Sequence, residues 1–483
     1  MNRNVRLAMA AAVLLPALVA VRNADVRVAE AQGSGPPLCS GIQLQNTNAS
    51  QSASVQMTFY RVGGNDGVPD ATLTDTLGPN GSKSYYLPNV LPSGTPDGQY
   101  SVVTNADQAL NALVQQVTCA GFSPNVAAAF SGVGSADTGT QVVLPFVLSR
   151  AFPTSGNFSS FIAIQNAGTA TATNVQIQFF PAGSGTPIET FTNNNLAVGE
   201  TWYLNLRSGP FANANLNGFN GSARIISDQP VAAVVNYSPG DNRALLSYNG
   251  VRSTGTTLYA PQATKAYFGF TSGFTVVNQS AVATTIRYRF IGAAGGTPVD
   301  VSVDRPLPAN ATDVLYLGNV PAVPNNFNGT AIISIAPGSP TAQLIGIANL
   351  AIADPSIGTA AGAMNMIPSG QGATRLYFPQ MSKAFFGYTS GWQIVDMTGS
   401  GASGIARYFR VNPDGSVTLV VSDPFTVPPN GSYTRYLGNV PGLPDGFNGG
   451  LVVEVTSGQV GGQGNFNGTG VGDLLTVYNG FPG

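Results

Sequence analysis

Histidine is absent from all 483 residues. That removes Ser-His-Asp and Cys-His nucleophilic systems, His-ligated zinc and imidazole acid–base chemistry together. Lysine occurs only at Lys83, Lys265 and Lys383, and none has a serine three residues before it, so a Ser-x-x-Lys nucleophile is excluded as well. Charged residues make up only 9 % of the chain, and the formal net charge of −2 provides neither a basic face for nucleic acid nor an acidic tail. Beyond Glu30 the only glutamates are Glu189, Glu200 and Glu454. Aspartates could still supply the paired carboxylates of a hydrolase, but most sit in Gly- and Pro-rich turns. The expectation is a protein without catalytic residues or a cofactor, with an aspartate-based hydrolase as a remote alternative.

Cysteine is nearly absent too, at Cys39 and Cys119 alone. In an exported chain such a pair is expected to form a disulfide. Export is read from the N-terminus: Arg3 and Arg6 precede an apolar run, Leu7 to Val21, and Ala29-Glu30-Ala31 offers a small-residue cleavage site. Residues 1–31 are therefore expected to be a signal peptide and 32–38 a linker. No later segment approaches the roughly 20 continuous apolar residues of a membrane-spanning helix. The predicted localisation is secreted or extracellular, associated with the cell surface.

What the chain has in abundance is glycine (59) and proline (34), with Ser, Thr and Asn between short apolar runs. This is the profile of a turn-rich, all-β protein. Laid on itself, the sequence resolves into four copies of one pattern. "LYAPQATKAYFGFTSGFTVVNQS" from Leu258 matches "LYFPQMSKAFFGYTSGWQIVDMT" from Leu376 nearly position for position, and "LPFVLSRAFPTSGNFSSFIAIQNAG" from Leu144 is a looser copy. The first copy enters late, at "CSGIQLQNTN" from Cys39. Each is followed by a run of partly alternating polarity, such as "NVQIQFFPA" from Asn174, which predicts a half-buried strand with Val175, Ile177 and Phe179 inward. The run "IARYFRVNP" from Ile405 alternates poorly.

A phrase then recurs, "YLGNVPAVPNNFNG" from Tyr316 and "YLGNVPGLPDGFNG" from Tyr436, with looser forms from Tyr86 and Tyr203. It reads as a connector between strands. The predicted architecture is four antiparallel β-sandwich units at 39–133, 140–252, 256–369 and 374–483, joined by short polar spacers into a semi-rigid string. A four-bladed propeller is the alternative, but its blades usually run about 40 to 50 residues.

The pattern P-x-x-x-K/R followed by S-G-F-x-x-x-N, an alternating strand and a Pro/Ala-x-Gly/Asn-x-Ser/Thr turn resembles the tandem immunoglobulin-like repeats of bacterial secreted and cell-surface proteins, of the cell-adhesion-related domain type. The resemblance spans residues 39–483. It implies a structural or adhesive role at the surface and transfers no catalytic residue. The partners it implies are the chain itself or other envelope and extracellular-matrix components.

Three further features have candidate chemistry. The clusters "KAYFGFTSGF" and "KAFFGYTSGW" place Phe270 and Phe274, and Tyr388 and Trp392, as candidate glycan contacts, because aromatic faces stack on sugar rings. The competing reading is that they fill the sandwich core. Asp66, Asp70 and Asp75 are candidate calcium ligands, against the reading of an ordinary polar hairpin loop. "DTGT" from Asp137 imitates an aspartic-protease loop, yet the repeat places it on a spacer. The first unit, finally, lacks the leading "P-x-x-x-K" segment, which would leave a sheet edge open to a strand from a neighbour. The function expected is that of an exported, non-enzymatic structural or adhesion protein, capable of self-assembly, with carbohydrate binding as the alternative.

Overall fold

The structure is a computed structural model that describes residues 37–483 except 65, 155, 297–298, 353–359, 413–415 and 469–471. The expected signal peptide, residues 1–31, and most of the linker lie outside the described residues. Almost every element is a strand, and every strand pairing is antiparallel. The only α-helix among the described residues is the single turn Leu87–Val90.

The pairings fall into four consecutive segments, one for each sequence repeat. In the third segment one sheet runs in the order Asp300–Leu307, Thr284–Gly292, Phe327–Ile335, Thr257–Lys265, Ile367–Pro368, and the facing sheet Thr312–Tyr316, Phe270–Asn278, Leu344–Ile352, Ala361–Asn365. The fourth segment repeats both orders. Leu258, Phe274, Tyr288, Phe290 and Ile333 are buried between the two sheets. The second segment differs because its strand Phe219–Ser238 is continuous for 20 residues and pairs in both halves, which merges the two sheets into one seven-stranded sheet. In the first segment one sheet ends at Tyr100–Ala106, where the other segments add their leading strand.

Alternation was a sound guide to the strands that face the core. Val175, Ile177 and Phe179 are buried while Gln176 and Gln178 are not. Ala402–Val411 also alternates, with Ala402, Gly404, Ala406 and Tyr408 inward. Its pattern was obscured in the sequence because three of those inward residues are too small to register as apolar, and Ile405 points outward.

The segments do not form the string expected from their short spacers. They close into a ring. One late strand of each segment, Ala127–Ser131, Leu246–Asn249, Ala361–Asn365 and Leu475–Asn479, packs against its counterparts in the preceding and following segments, with the fourth against the first. Each core is capped by the next segment. Ala163, Ala232 and Val234 cover the first, Ile347, Ala361 and Ala363 the second, Leu475 and Val477 the third, and Leu113 and Ala129 of the first segment cover the fourth. Gln43 Nε2 donates to the Pro379 carbonyl at 3.2 Å and Tyr377 OH to the Thr47 carbonyl at 3.1 Å, so polar bonds join the first and fourth segments as well.

Candidate functional site

Ring closure creates two distinct ends, best located from the four axial strands just named. At their C-terminal ends asparagine amides form a ladder. Asn249 Nδ2 donates to the Ser131 carbonyl at 2.8 Å, Asn365 Nδ2 to the Asn249 carbonyl at 2.9 Å, and Asn479 Nδ2 to the Asn365 carbonyl at 2.7 Å. Above the ladder lies a cavity of about 200 Å³, bordered by residues of all four segments, including Val133, Val251, Ile367 and Phe481. Asp137 of the "DTGT" spacer and Arg252 sit on its rim, and Arg252 Nη1 donates to the Ala136 carbonyl at 2.9 Å. Asp137 is thus part of an inter-segment turn, as the repeat alignment implied.

The N-terminal ends of the axial strands meet on Asp473. Its carboxyl accepts bonds from the Leu245 N–H at 3.0 Å and the Ala361 N–H at 2.8 Å, while its own N–H donates to the Asn125 carbonyl at 2.9 Å. One buried residue of the fourth segment therefore touches the other three. Burial pushes its carboxyl up to about 8, against the pull of the Ala361, Leu245 and Leu475 N–H groups. Because like ends are tied to like ends, the four axial strands run parallel, as the parallel bridge between Val126 and Asp473 also shows.

The aromatic clusters sit at this second end, and the core has claimed two of the four residues singled out as glycan contacts. Trp392 is 1 % exposed and donates its Nε1–H to Tyr408 OH at 2.9 Å. Phe274 is fully buried against Tyr288 and Phe290. Neither offers a free ring face. Phe270 and Tyr388 are half-buried.

The exposed rings are their neighbours, Phe268 at 78 % and Phe386 at 87 %. Tyr267 and Phe270 exchange backbone bonds of 3.1 and 2.9 Å, which closes a two-residue hairpin turn whose central residues are Phe268 and Gly269. Both have positive φ, 48° and 82°. That is the turn geometry in which Asn-Gly is favoured, and an aromatic residue at its first position is strained. Phe386 and Gly387 repeat it at 48° and 80°. Strand register puts both turns at the Asp473 end: Phe270 pairs with Ile352 and Tyr388 with Gly468, both far from the asparagine ladder. Exposed Phe152 and Phe122 belong to the equivalent ends of the second and first segments, next to Ser159 and Cys119. Tyr86, Tyr316 and Tyr436 close the list of exposed large aromatics among the described residues, and they too lead toward this end.

The repeated phrase that follows Tyr316 and Tyr436 is a connector. Leu317, Val320, Val323 and Phe327 are buried, as are Leu437, Val440, Leu443 and Phe447. The cation of the leading segment secures it, four residues after the proline at Lys265 and Lys383 and five after it at Arg150. Lys265 Nζ donates to the Val320 and Val323 carbonyls at 2.8 Å each, Lys383 Nζ to the Leu443 carbonyl at 2.8 Å, and Arg150 Nη2 to the Asn213 carbonyl at 2.8 Å.

The candidate calcium ligands have separate engagements. Asp66 accepts the Val68 N–H, Asp70 the Arg61 N–H, and Asp75 both Lys83 Nζ at 2.6 Å and Tyr85 OH at 2.9 Å. Burial raises the Asp75 carboxyl, but the bonds from Lys83, the Thr76 N–H and Tyr85 outweigh it and hold the group below its usual range. No group of three or more acidic or cysteine side chains gathers among the described residues. The buried carboxyls of Asp313 and Asp423 and the half-buried one of Glu454 are each paired with arginine. Cys39 and Cys119 are joined at 2.02 Å, tying the strand Leu38–Asn46 to the end of Leu110–Thr118.

No protein-family profile matches the chain, and no curated protein matches it either. Two solved structures are similar to the chain at low identity. One is described as "tetra-tandem repeat in extending region of large adhesion protein", at 11 % identity, covering 97 % of this chain and 99 % of that chain with a TM-score of 0.11. The other is described as "Biofilm associated protein - BSP domain", at 9 % identity, covering 97 % and 96 % with a TM-score of 0.14.

Proposed function

We propose that this chain is an exported, non-enzymatic structural or adhesion protein of the cell surface, built from four immunoglobulin-like β-sandwich repeats that act as one rigid body. The observation that carries this reading is the placement of the exposed aromatics. They are gathered at one end of a closed ring, on the loops of different segments, and are not converged on a cleft with reactive groups. Such an arrangement displays a contact surface on a stiff scaffold. The strand Tyr100–Ala106 ends its sheet where the other segments carry a further strand, but Tyr100, Ser101 and Val102 are fully buried and Ser101 Oγ donates to the Gly199 carbonyl of the second segment at 2.8 Å, so the edge expected to be open to a neighbour's strand is covered there and does not support self-assembly.

The test is fractionation of the native producer with an antibody to the mature chain. Recovery with the envelope or with a cell-bound matrix is the expected result. Recovery as a dispersed protein of the cytoplasm or the culture medium would overturn the reading.

A further inference from the structure

We propose that the end of the ring bearing Phe268 and Phe386 is a peripheral membrane-docking face, whose occupant is the surface of a phospholipid bilayer. This rests on the surface-display reading above and names the target of that surface.

The four tips share one end of the ring. Strand register places Phe122, Phe152, Phe268 and Phe386 at the same end of four strands bundles that surround one axis, each from a different segment. A flat, extended target engages all four tips at once, and weak contacts made together through a rigid scaffold gain from high effective concentration. The opposite end, around the asparagine ladder, has no exposed large aromatic side chain among the described residues.

The shape of the tips points the same way. Phe268 packs edge-on against Tyr267 with ring centroids 4.7 Å apart, and Phe386 against Phe385 at 4.6 Å. A projecting wedge of two perpendicular rings on a tight turn suits insertion among lipid headgroups and acyl chains, where aromatic side chains partition favourably. A sugar needs instead a flat ring bordered by polar groups that set its orientation. Each wedge is also held in a strained backbone conformation, a cost that the fold tolerates twice in the same place.

Charge decides how the face would bind. Lys265 and Lys383, in the segments of Phe268 and Phe386, turn their ammonium groups back onto the connector carbonyls, and the exposed Arg243 beside the Phe152 loop is paired with Asp241 at 3.5 Å, so the face presents little net charge to a target. Attraction to anionic headgroups is therefore a minor contribution, and docking by apolar insertion should survive salt. No described helix is long and apolar enough to cross a membrane.

The experiment is flotation of the full mature chain with two kinds of vesicle, pure phosphatidylcholine and a phosphatidylethanolamine–phosphatidylglycerol mixture, at about 0.05 and about 0.5 M salt. Wild type is expected to float with both, with little loss at high salt. The double variant Phe268→Ser/Phe386→Ser should lose at least about tenfold in partitioning, whereas Val282→Ser, at the opposite end, should bind as wild type. Because both phenylalanines are exposed, the double variant is expected to keep its melting temperature, which is measured alongside. Failure of wild type to float, binding confined to anionic vesicles at low salt, or equal binding by the double variant would each overturn the proposal. So would retention by insoluble polysaccharide without retention by lipid. An envelope-bound chain that does not float would sink the lipid target alone and leave the surface reading standing, whereas a dispersed chain would remove that reading.

Discussion

The backbone N–H of Asp473 donates to the Asn125 carbonyl at 2.9 Å, joining the fourth segment to the first and closing the ring. The Asp473 carboxyl completes the junction through the N–H groups of Leu245 and Ala361. Its position makes ring stability depend on pH with a definite sign. Burial raises the folded-state value to about 8 from 3.8, so below about pH 4 both folded and unfolded forms hold the proton and the contribution is complete. As pH rises from about 4 to about 8 the unfolded chain ionises first, and stability falls by up to about 1.4 kcal/mol per pH unit. Urea unfolding across this window should show the decline, and Asp473→Asn should flatten it.

A second prediction concerns the close approach of the axial strands. A Cβ at Gly362 would collide with the Val477 side chain of the next segment. Gly362→Val is expected to cost about 1–3 kcal/mol through overpacking. Because the clash lies between segments, the variant should also become more open to proteolysis at the spacers. A melting temperature and digestion pattern like those of wild type would contradict the close packing.

These inter-segment contacts explain what could and could not be read in the sequence. The repeats were legible because an alternating strand such as Val175–Pro181 recurs and the connector from Tyr316 recurs from Tyr436 almost unchanged. Closure was not legible, because the surfaces that make it consist of small or amide residues such as Ala129, Ala361, Gly362 and Asn365, which give neither an apolar stripe nor a charge pattern. The same limit applied to the aromatic clusters. After its lysine "KAYFGF" holds only apolar residues and glycine, so Phe268 cannot be told from Phe270 without the hairpin turn, and the signal for that turn was the glycine after each Phe-Phe or Tyr-Phe pair.

The first segment has no leading strand, and it is the segment that carries the disulfide. Cys39 and Cys119 are separated by 80 residues, and closing such a loop is worth about 4.5 kcal/mol in the chain-entropy account. The double variant Cys39→Ser/Cys119→Ser should lose most of that, with the loss concentrated in the first segment. Hydrogen exchange should show faster opening of Leu38–Asn46 than of Phe270–Asn278. Uniform change across both strands would argue against a local role.

Trp392 should behave as a core residue. Its ring packs against Phe425 and Tyr433 and its Nε1–H is bonded to Tyr408 OH. Trp392→Ala is expected to cost about 3–5 kcal/mol, with a matching fall in denaturation midpoint. Any loss of surface binding in that variant should follow the unfolded fraction; a binding defect in fully folded protein would return this residue to the contact surface.

Phe268 should show the opposite behaviour. Its ring is exposed and its φ is 48°, a conformation that glycine adopts without the steric cost that a side chain brings. Phe268→Gly is therefore expected to be neutral or to stabilise the folded chain by up to about 1 kcal/mol, even though a large apolar side chain has been removed. The offsetting effect is the added freedom of glycine in the unfolded state, which limits the gain. A calorimetric melt compared with Phe274→Gly gives the contrast, since Phe274 is buried and its loss should lower the melting temperature sharply. If Phe268→Gly destabilised the chain as much, the ring would be making contacts that the structure assigns to Phe274, and its placement on an outward-facing tip would be wrong.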